Sequence, residues 1–248
     1  MKRSAGRQAG SRRRRPLVLV FGESLHDRGA ICRLAEGLRP DLAGIVEQRR
    51  TPLVLIKNAK PEKARTNAQD IAKLVRQETG ARNVIAVLAH EDCDAVEPSH
   101  VSTAVKIEAA LGEAGCPGVP IGVTPAWEIE AWWLVFPEAV TPIVEGWREP
   151  SDWMGKDVGA VENAKEALTR ALRPRDRQRK ARDYHEADSL EIAHNVVRLK
   201  LLSSFDNDHR NTRGKGTAVV RTRSQSFGRF RRKLLALPPT PADSVAKD

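Results

Sequence analysis

The chain is short of the residues and runs that mark several large classes of protein. Its three cysteines, Cys32, Cys93 and Cys116, form an odd, widely spaced set with no C-x-x-C pair and no zinc-site spacing. We therefore expect reduced thiols in a cytoplasmic protein, and no nucleophilic role for Cys93, because the acids beside it raise a thiol pKa. No run of about 18 apolar residues is present to span a membrane, and the basic start of the chain lacks the apolar stretch of a secretory signal.

Two nucleotide-binding signatures and a broad aromatic surface are also missing. Neither G-x-G-x-x-G nor a P-loop occurs in the sequence, which argues against a Rossmann-type small-molecule enzyme. Aromatic residues make up 4% of the chain, which is too few for a surface on which successive bases stack.

Positive charge is abundant and unevenly distributed. The net charge is +10, and residues 1–15, 173–182 and 209–233 form three basic blocks. One such block is ordinarily a solvated surface or tail, whereas three blocks favour a phosphate-rich partner, with DNA as the first choice. The candidate contacts to a nucleic-acid backbone are Lys180, Arg182, Arg221, Arg223, Arg229, Arg231 and Arg232.

Apolar runs alternate with helical patterns through the first half of the chain. The runs at 17–22, 51–56, 84–89 and 119–124 predict buried parallel strands, each followed by an amphipathic helix. This rhythm predicts an α/β fold, namely a three-layer sandwich with a mainly parallel four-stranded sheet.

The chain divides into four predicted segments. Residues 1–15 are expected to be a disordered basic tail, 16–136 the α/β domain, 137–236 a helical extension packed on it, and 237–248 a second disordered tail. The predicted helices of the extension cover residues 161–172, 189–202 and 227–235.

Acidic residues follow three of the predicted strands. Glu23 comes directly after the first strand, Asp92 and Asp94 follow the third, and Glu128 and Glu130 follow the fourth. Ligands of open parallel sheets bind beyond the carboxyl ends of the strands, so these acids should converge at one edge. Clustered carboxylates are the ligands that Mg²⁺ prefers, and the sequence therefore indicates a metal site there.

Each of these acids also has an alternative interpretation. Glu23 could instead satisfy free N–H groups at a helix N-terminus. Asp92 and Asp94 would share one face if their segment is extended, although Asp-x-Asp is common in turns. Glu128 and Glu130 stand two apart on a predicted helix, so at most one of them should point into the site.

The order of these motifs resembles the TOPRIM domain of topoisomerases, primases and OLD-type nucleases. The Gly-Glu step at 22–23 and the acidic cluster at 90–94 carry that resemblance. The segment at 125–139, which contains Glu-Ile-Glu-Ala-Trp, and the Ser-Phe motif at 226–230 are similar to an uncharacterised TOPRIM-like family, domain-of-unknown-function family 4276. The resemblance spans residues 17–235.

The resemblance implies phosphodiester cleavage that depends on Mg²⁺ or Mn²⁺. Glu23 would be the general acid/base and Asp92 with Asp94 would hold metal, while Glu130 completes the site with Glu128 behind it. The resemblance alone also implies a nuclease in bacterial defence against foreign DNA, beside an ATPase partner.

A second register of the acidic cluster leads to a different expectation. His90 and Asp92 would then take the two Asp positions, which gives a site poorer in negative charge and less suited to Mg²⁺. His90 could also be an ordinary buried histidine at a strand end. The alternative function is therefore a catalytically inactive nucleic-acid-binding or regulatory partner of an ATPase.

Overall fold

The elements of the first half alternate between strand and helix. The computed structural model describes residues 14–50, 56–57, 59–175, 180–213 and 219–240. The first half contains β1 (Arg15–Phe21), α1 (Leu25–Leu38), β2 (Val46–Gln48), α2 (Pro61–Glu78), β3 (Arg82–His90), α3 (Ser99–Glu113) and β4 (Val119–Val123). The second half contains α4 (Glu130–Trp133), α5 (Pro137–Val140), α6 (Ala164–Leu172), α7 (Asp188–Arg198), β5 (Phe205–Asp206), β6 (His209–Arg213), β7 (Val219–Arg223) and α8 (Gln225–Leu235).

The four strands of the first half form one parallel sheet in the order β2-β1-β3-β4. Phe21 pairs with Ala89, and His90 pairs with Val123, so β1, β3 and β4 end at the same edge. The second described strand, β2, lies before the predicted strand at 51–56, of which residues 51–55 lie outside the described residues.

Helices cover both faces of this sheet. Alternate residues of β1 point to opposite sides, because side chains alternate along a strand. Leu17, Leu19 and Phe21 pack with α2 and α3, whereas Val18 and Val20 pack with α1 and the second half of the chain. Burial on both sides explains the uninterrupted apolar runs, and it confirms the predicted three-layer α/β sandwich.

The second half contains a feature that the sequence did not predict. Strands β5, β6 and β7 form an antiparallel sheet. β5 precedes the basic block at 209–233, and β6 and β7 lie within it, where charged residues conceal the strand pattern. The predicted helices are present as α6, α7 and α8. Helix α7 packs along α1, where a Cβ at Gly37 would overlap Val197, so the glycine permits the close approach.

Side chains cover the outer edge of β4. The backbone N–H of Gly122 donates to Glu108 Oε1 (3.1 Å), and Arg229 Nη1 donates to the Gly122 carbonyl oxygen (2.9 Å). Arg229 and Glu108 are themselves 2.9 Å apart. Glycine is needed here because a Cβ at position 122 would lie 2.6 Å from the Ala104 carbonyl oxygen.

The described chain remains attached to this core as far as its last residue. Leu237 is buried, Arg39 donates to its carbonyl oxygen (2.9 Å), and the backbone N–H of Thr240 donates to Asp41 (3.1 Å). The domain boundaries stay predictions. Among the helices of the described residues, none is long and apolar enough to cross a membrane.

Candidate functional site

An open, acid-lined cavity of about 280 Å³ lies at the edge where β1, β3 and β4 end. The predicted acids that line it follow the carboxyl ends of β1, β3 and β4, which lie at the same edge because the sheet is parallel. Its lining residues are Glu23, Ser24, Asp27, Asp92, Glu128, Glu130 and Glu186.

The exit from β1 supplies the mouth of the cavity. Ser24 is the N-cap of α1, since its side chain accepts from the backbone N–H groups of His26 (3.1 Å) and Asp27 (3.4 Å). Glu23 is therefore not the cap, and its exposed side chain lines the mouth. Burial against the protein raises the pKa of Glu23, and the charge of Asp92 raises it further.

The exit from β3 places His90 beneath Asp92. His90 is fully buried, and its Nε2 lies 3.3 Å from Asp92 Oδ1. The two atoms are not aligned for a hydrogen bond, and neither has a hydrogen-bond partner within the described residues. Burial disfavours the charged form of His90 and so lowers its pKa. The negative charges of Asp92, and less strongly of Asp27 and Glu23, raise the pKa by more, so the pKa of His90 is raised overall. A protonated His90 would support Asp92 as a counter-charge and could not ligate metal.

Asp94 does not join Asp92 at the cavity. Its φ of 50° turns the chain, whereas the sequence suggested an extended segment with both carboxylates on one face. The side chain of Asp94 is 63% exposed and pairs with Lys57 Nζ at 2.6 Å. The intervening Cys93 is buried beside Thr103, and burial raises the pKa of its thiol.

Glu91 has a structural role in the same cluster. Its carboxylate accepts hydrogen bonds from the backbone N–H groups of Ile56 (2.5 Å) and Lys57 (2.7 Å). These bonds hold residues 56 and 57 against the end of β3. Burial nevertheless raises the pKa of Glu91 to about 7.

Glu128 and Glu130 both line the cavity, contrary to the expectation that only one would. The reason is that α4 begins at Glu130, so Glu128 lies in the preceding bend rather than on the helix. Glu128 Oε1 also accepts from the backbone N–H of Lys165 (2.7 Å) in the first turn of α6. Burial raises the pKa of Glu128.

Glu130 is the most deeply placed acid of the cavity. It is 3% exposed, and burial raises its pKa to about 8, with the charge of Glu128 adding to the effect. The buried Tyr184 hydroxyl lies beside it and shares a hydrogen bond with Ser189 Oγ (2.7 Å), which accepts from Trp133 Nε1 (3.0 Å). This network fixes the floor of the cavity.

Two acids of the cavity were missed from the sequence. Asp27 is 8% exposed, and burial raises its pKa. Its signal was available, because it stands in the first turn of a helix that follows a strand with an acid at its end. Glu186 reaches the cavity from the second half and pairs with Lys165, and no local pattern indicates it.

The donor set fits a hard divalent cation. Every charged group that lines the cavity is a carboxylate, and oxygen ligands are those that Mg²⁺ prefers. Asp92 contributes one of these carboxylates, although its Oδ1 lies 3.3 Å from His90 Nε2. Among residues whose positions are described, however, no three His, Cys, Asp or Glu side chains already stand at ligating spacing. A metal at this site would therefore require side-chain movement.

The two C-terminal motifs of the resemblance meet in the core. Ser226 Oγ accepts from Trp132 Nε1 (3.0 Å) and from the backbone N–H of Ala126 (3.3 Å). Phe227 and Phe230 are buried and each lies 5.2 Å from the Trp132 ring, so they pack in the core rather than face solvent. These residues hold the chain just before Glu128 and Glu130.

The predicted nucleic-acid contacts separate into two groups. Arg182 pairs with Asp188, Arg223 with Asp157, Arg229 with Glu108 and Arg232 with Asp208, at 2.5 to 2.9 Å. Lys180, Arg221 and Arg231 have no hydrogen-bond or ion-pair partner within the described ranges. The second group is thus the one available to a phosphate backbone.

Comparison with known proteins adds no relative. No family model matches the chain, and no curated protein or solved structure matches it significantly. The resemblance to TOPRIM proteins therefore stays a prediction from the motifs.

Proposed function

We propose that the chain is a nuclease that cleaves phosphodiester bonds with the help of Mg²⁺ or Mn²⁺ bound in the acid cavity. The observation that carries this proposal is the convergence of six carboxylates from separate elements at the exit edge of a parallel sheet. Burial raises the pKa of four of them, Glu23, Asp27, Glu128 and Glu130. A cation bound among these acids would favour their ionised forms.

The roles follow from position in the cavity. Asp92, just after β3, is the principal metal-holding residue, and Asp27 lines the same cavity. A bound divalent cation neutralises phosphate charge and activates water. Glu23 stands at the mouth with a raised pKa, which suits it to exchange a proton with the reacting water or leaving oxygen. His90 holds and partly neutralises Asp92 from below.

The test is cleavage of supercoiled plasmid DNA with Mg²⁺ or Mn²⁺ by the wild type, Glu23→Gln and Asp92→Asn. Asp70→Asn is the matched control, because Asp70 is an exposed acid on α2 far in sequence from the cavity residues. We expect each site variant to lose cleavage by about 100-fold or more, as for loss of a general acid/base or metal ligand. Cleavage that survives in both site variants would remove this site assignment.

The alternative, an inactive nucleic-acid-binding partner, has one observation in its favour. Asp94 is engaged by Lys57 and a protonated His90 could not ligate metal, so fewer groups are free for metal than the motif suggests. Tight DNA binding without cleavage in either metal would support this alternative. A role in defence beside an ATPase remains the context that the motif resemblance suggests for either function.

A further inference from the structure

A groove of about 600 Å³ runs between α2 and α3 on the opposite face of the sheet from α1. Its floor is made of small side chains from both helices, chiefly Ala64, Ala109, Ala110 and Ala114. Small residues on both helices leave the groove wide and let a partner approach the backbone closely.

The charge of the groove is positive. Lys57, Arg65, Lys106 and Glu113 line it. Lys57 is paired with Asp94, so Arg65 and Lys106 against Glu113 leave one net positive charge. Arg65 and Lys106 are exposed and, within the described chain, have no hydrogen-bond or ion-pair partner. Pro61, the first residue of α2, also lines the groove, and Glu62 beside it places an acid in the first turn of that helix.

The groove and the acid cavity are connected through the contacts of Lys57. Lys57 lines the groove, and its ammonium also binds Asp94 (2.6 Å) and the backbone carbonyl oxygen of Asp92. Asp92 is in turn a lining residue of the cavity. One lysine thus joins a positive surface to the carboxylate site.

We propose that this groove holds the sugar–phosphate backbone of a nucleic-acid strand that extends toward the acid cavity. The identity of the partner rests on the proposed function, whereas the charge and shape rest on the groove itself. Arg65 and Lys106 would supply the contacts to phosphate, which position a strand without reading its sequence. The site lies outside the basic blocks at 173–182 and 209–233.

The test measures binding of a fluorescent DNA oligonucleotide to the full chain by anisotropy in EDTA, so that metal-dependent cleavage plays no part. The groove variant is Arg65→Glu with Lys106→Glu, and the matched control is Lys73→Glu with Lys200→Glu, two exposed lysines outside the groove. Both double variants change the net charge equally. Circular dichroism verifies that each keeps its fold.

We expect the groove variant to bind about tenfold or more weakly than the control, and its slope of log affinity against log salt to fall by about 2, since each phosphate contact contributes roughly 0.9. The proposal would be overturned if the groove variant and the control variant lost DNA affinity equally. It would also be overturned if polyglutamate displaced the labelled oligonucleotide as well as unlabelled DNA of equal charge does. Glu23→Gln and Asp92→Asn should still bind in EDTA. If DNA binding depends on the groove but no metal supports cleavage, the nuclease proposal is refuted and the groove proposal is kept. If the groove variant binds DNA like the wild type and still cleaves it, the groove proposal is refuted and the nuclease proposal is kept.

Discussion

Replacement of Glu130 by glutamine should stabilise the folded protein at high pH. The pKa of Glu130 is about 8 in the fold against an ordinary 4.5. Below 4.5 both states hold the proton, and between 4.5 and 8 the unfolded state releases it while the folded state keeps it, so stability is lost as pH rises. At 1.36 kcal/mol for each pH unit the full loss is roughly 5 kcal/mol. Because Glu128 shares the repulsion, we expect a gain of about 2 kcal/mol or more for Glu130→Gln at about pH 8.5 and little change at about pH 5.

Urea unfolding at the two pH values measures this difference. Glu149→Gln is the control, since Glu149 is exposed and should show no such pH dependence. Added Mg²⁺ should stabilise the wild type more than Glu130→Gln, because a cation that binds the folded state relieves the same repulsion. A variant that is no more stable than wild type at high pH would refute the view that uncompensated negative charge strains the cavity.

Three further predictions concern two buried hydrogen bonds and the reactivity of the cysteine thiols. Glu97 accepts from the backbone N–H groups of Gln225 (2.9 Å) and Ser226 (2.7 Å) at the start of α8, so Glu97→Ala should cost about 1–3 kcal/mol in urea unfolding, against no change for the exposed Glu113→Ala. Ser226→Ala removes the acceptor of Trp132 Nε1 and should cost about 1–3 kcal/mol, with a changed near-ultraviolet circular dichroism; an unchanged midpoint would contradict the role given to this bond. All three thiol pKa values are raised by burial, to about 12 for Cys32 and about 11 for Cys116, so iodoacetamide should label the native protein slowly and the urea-unfolded chain fully by mass spectrometry.

The sequence predicted those parts of the site that depend on strand ends. Glu23 and Asp92 could be found because uninterrupted apolar runs mark buried parallel strands, and acids at their ends must meet at one edge. The side on which Asp94 lies could not be found, since it depends on a single positive φ angle. The joint approach of Glu128 and Glu130 was missed because the exact start of a short helix is poorly marked by sequence.

Long-range contacts set the remaining limits. Glu186 reaches the cavity from the second half, and nothing local to it indicates this contact. Likewise, four of the seven basic residues predicted to contact DNA form ion pairs with acidic residues. One of these acids lies six residues away in sequence and the other three lie much farther along the chain, so composition does not reveal the pairs. Basic blocks therefore overstate the free positive surface, while the groove between α2 and α3 has a basic lining without a conspicuous run.

The covered edge of β4 has a consequence for self-association. An exposed edge strand offers free N–H and C=O groups on which a strand of another molecule can pair, which is a route to aggregation. At Gly122 both groups are already occupied, one by Glu108 and the other by Arg229. An incoming strand would have to separate an ion pair as well as displace both side chains, so copies of this chain should not join their sheets through β4, even at high concentration.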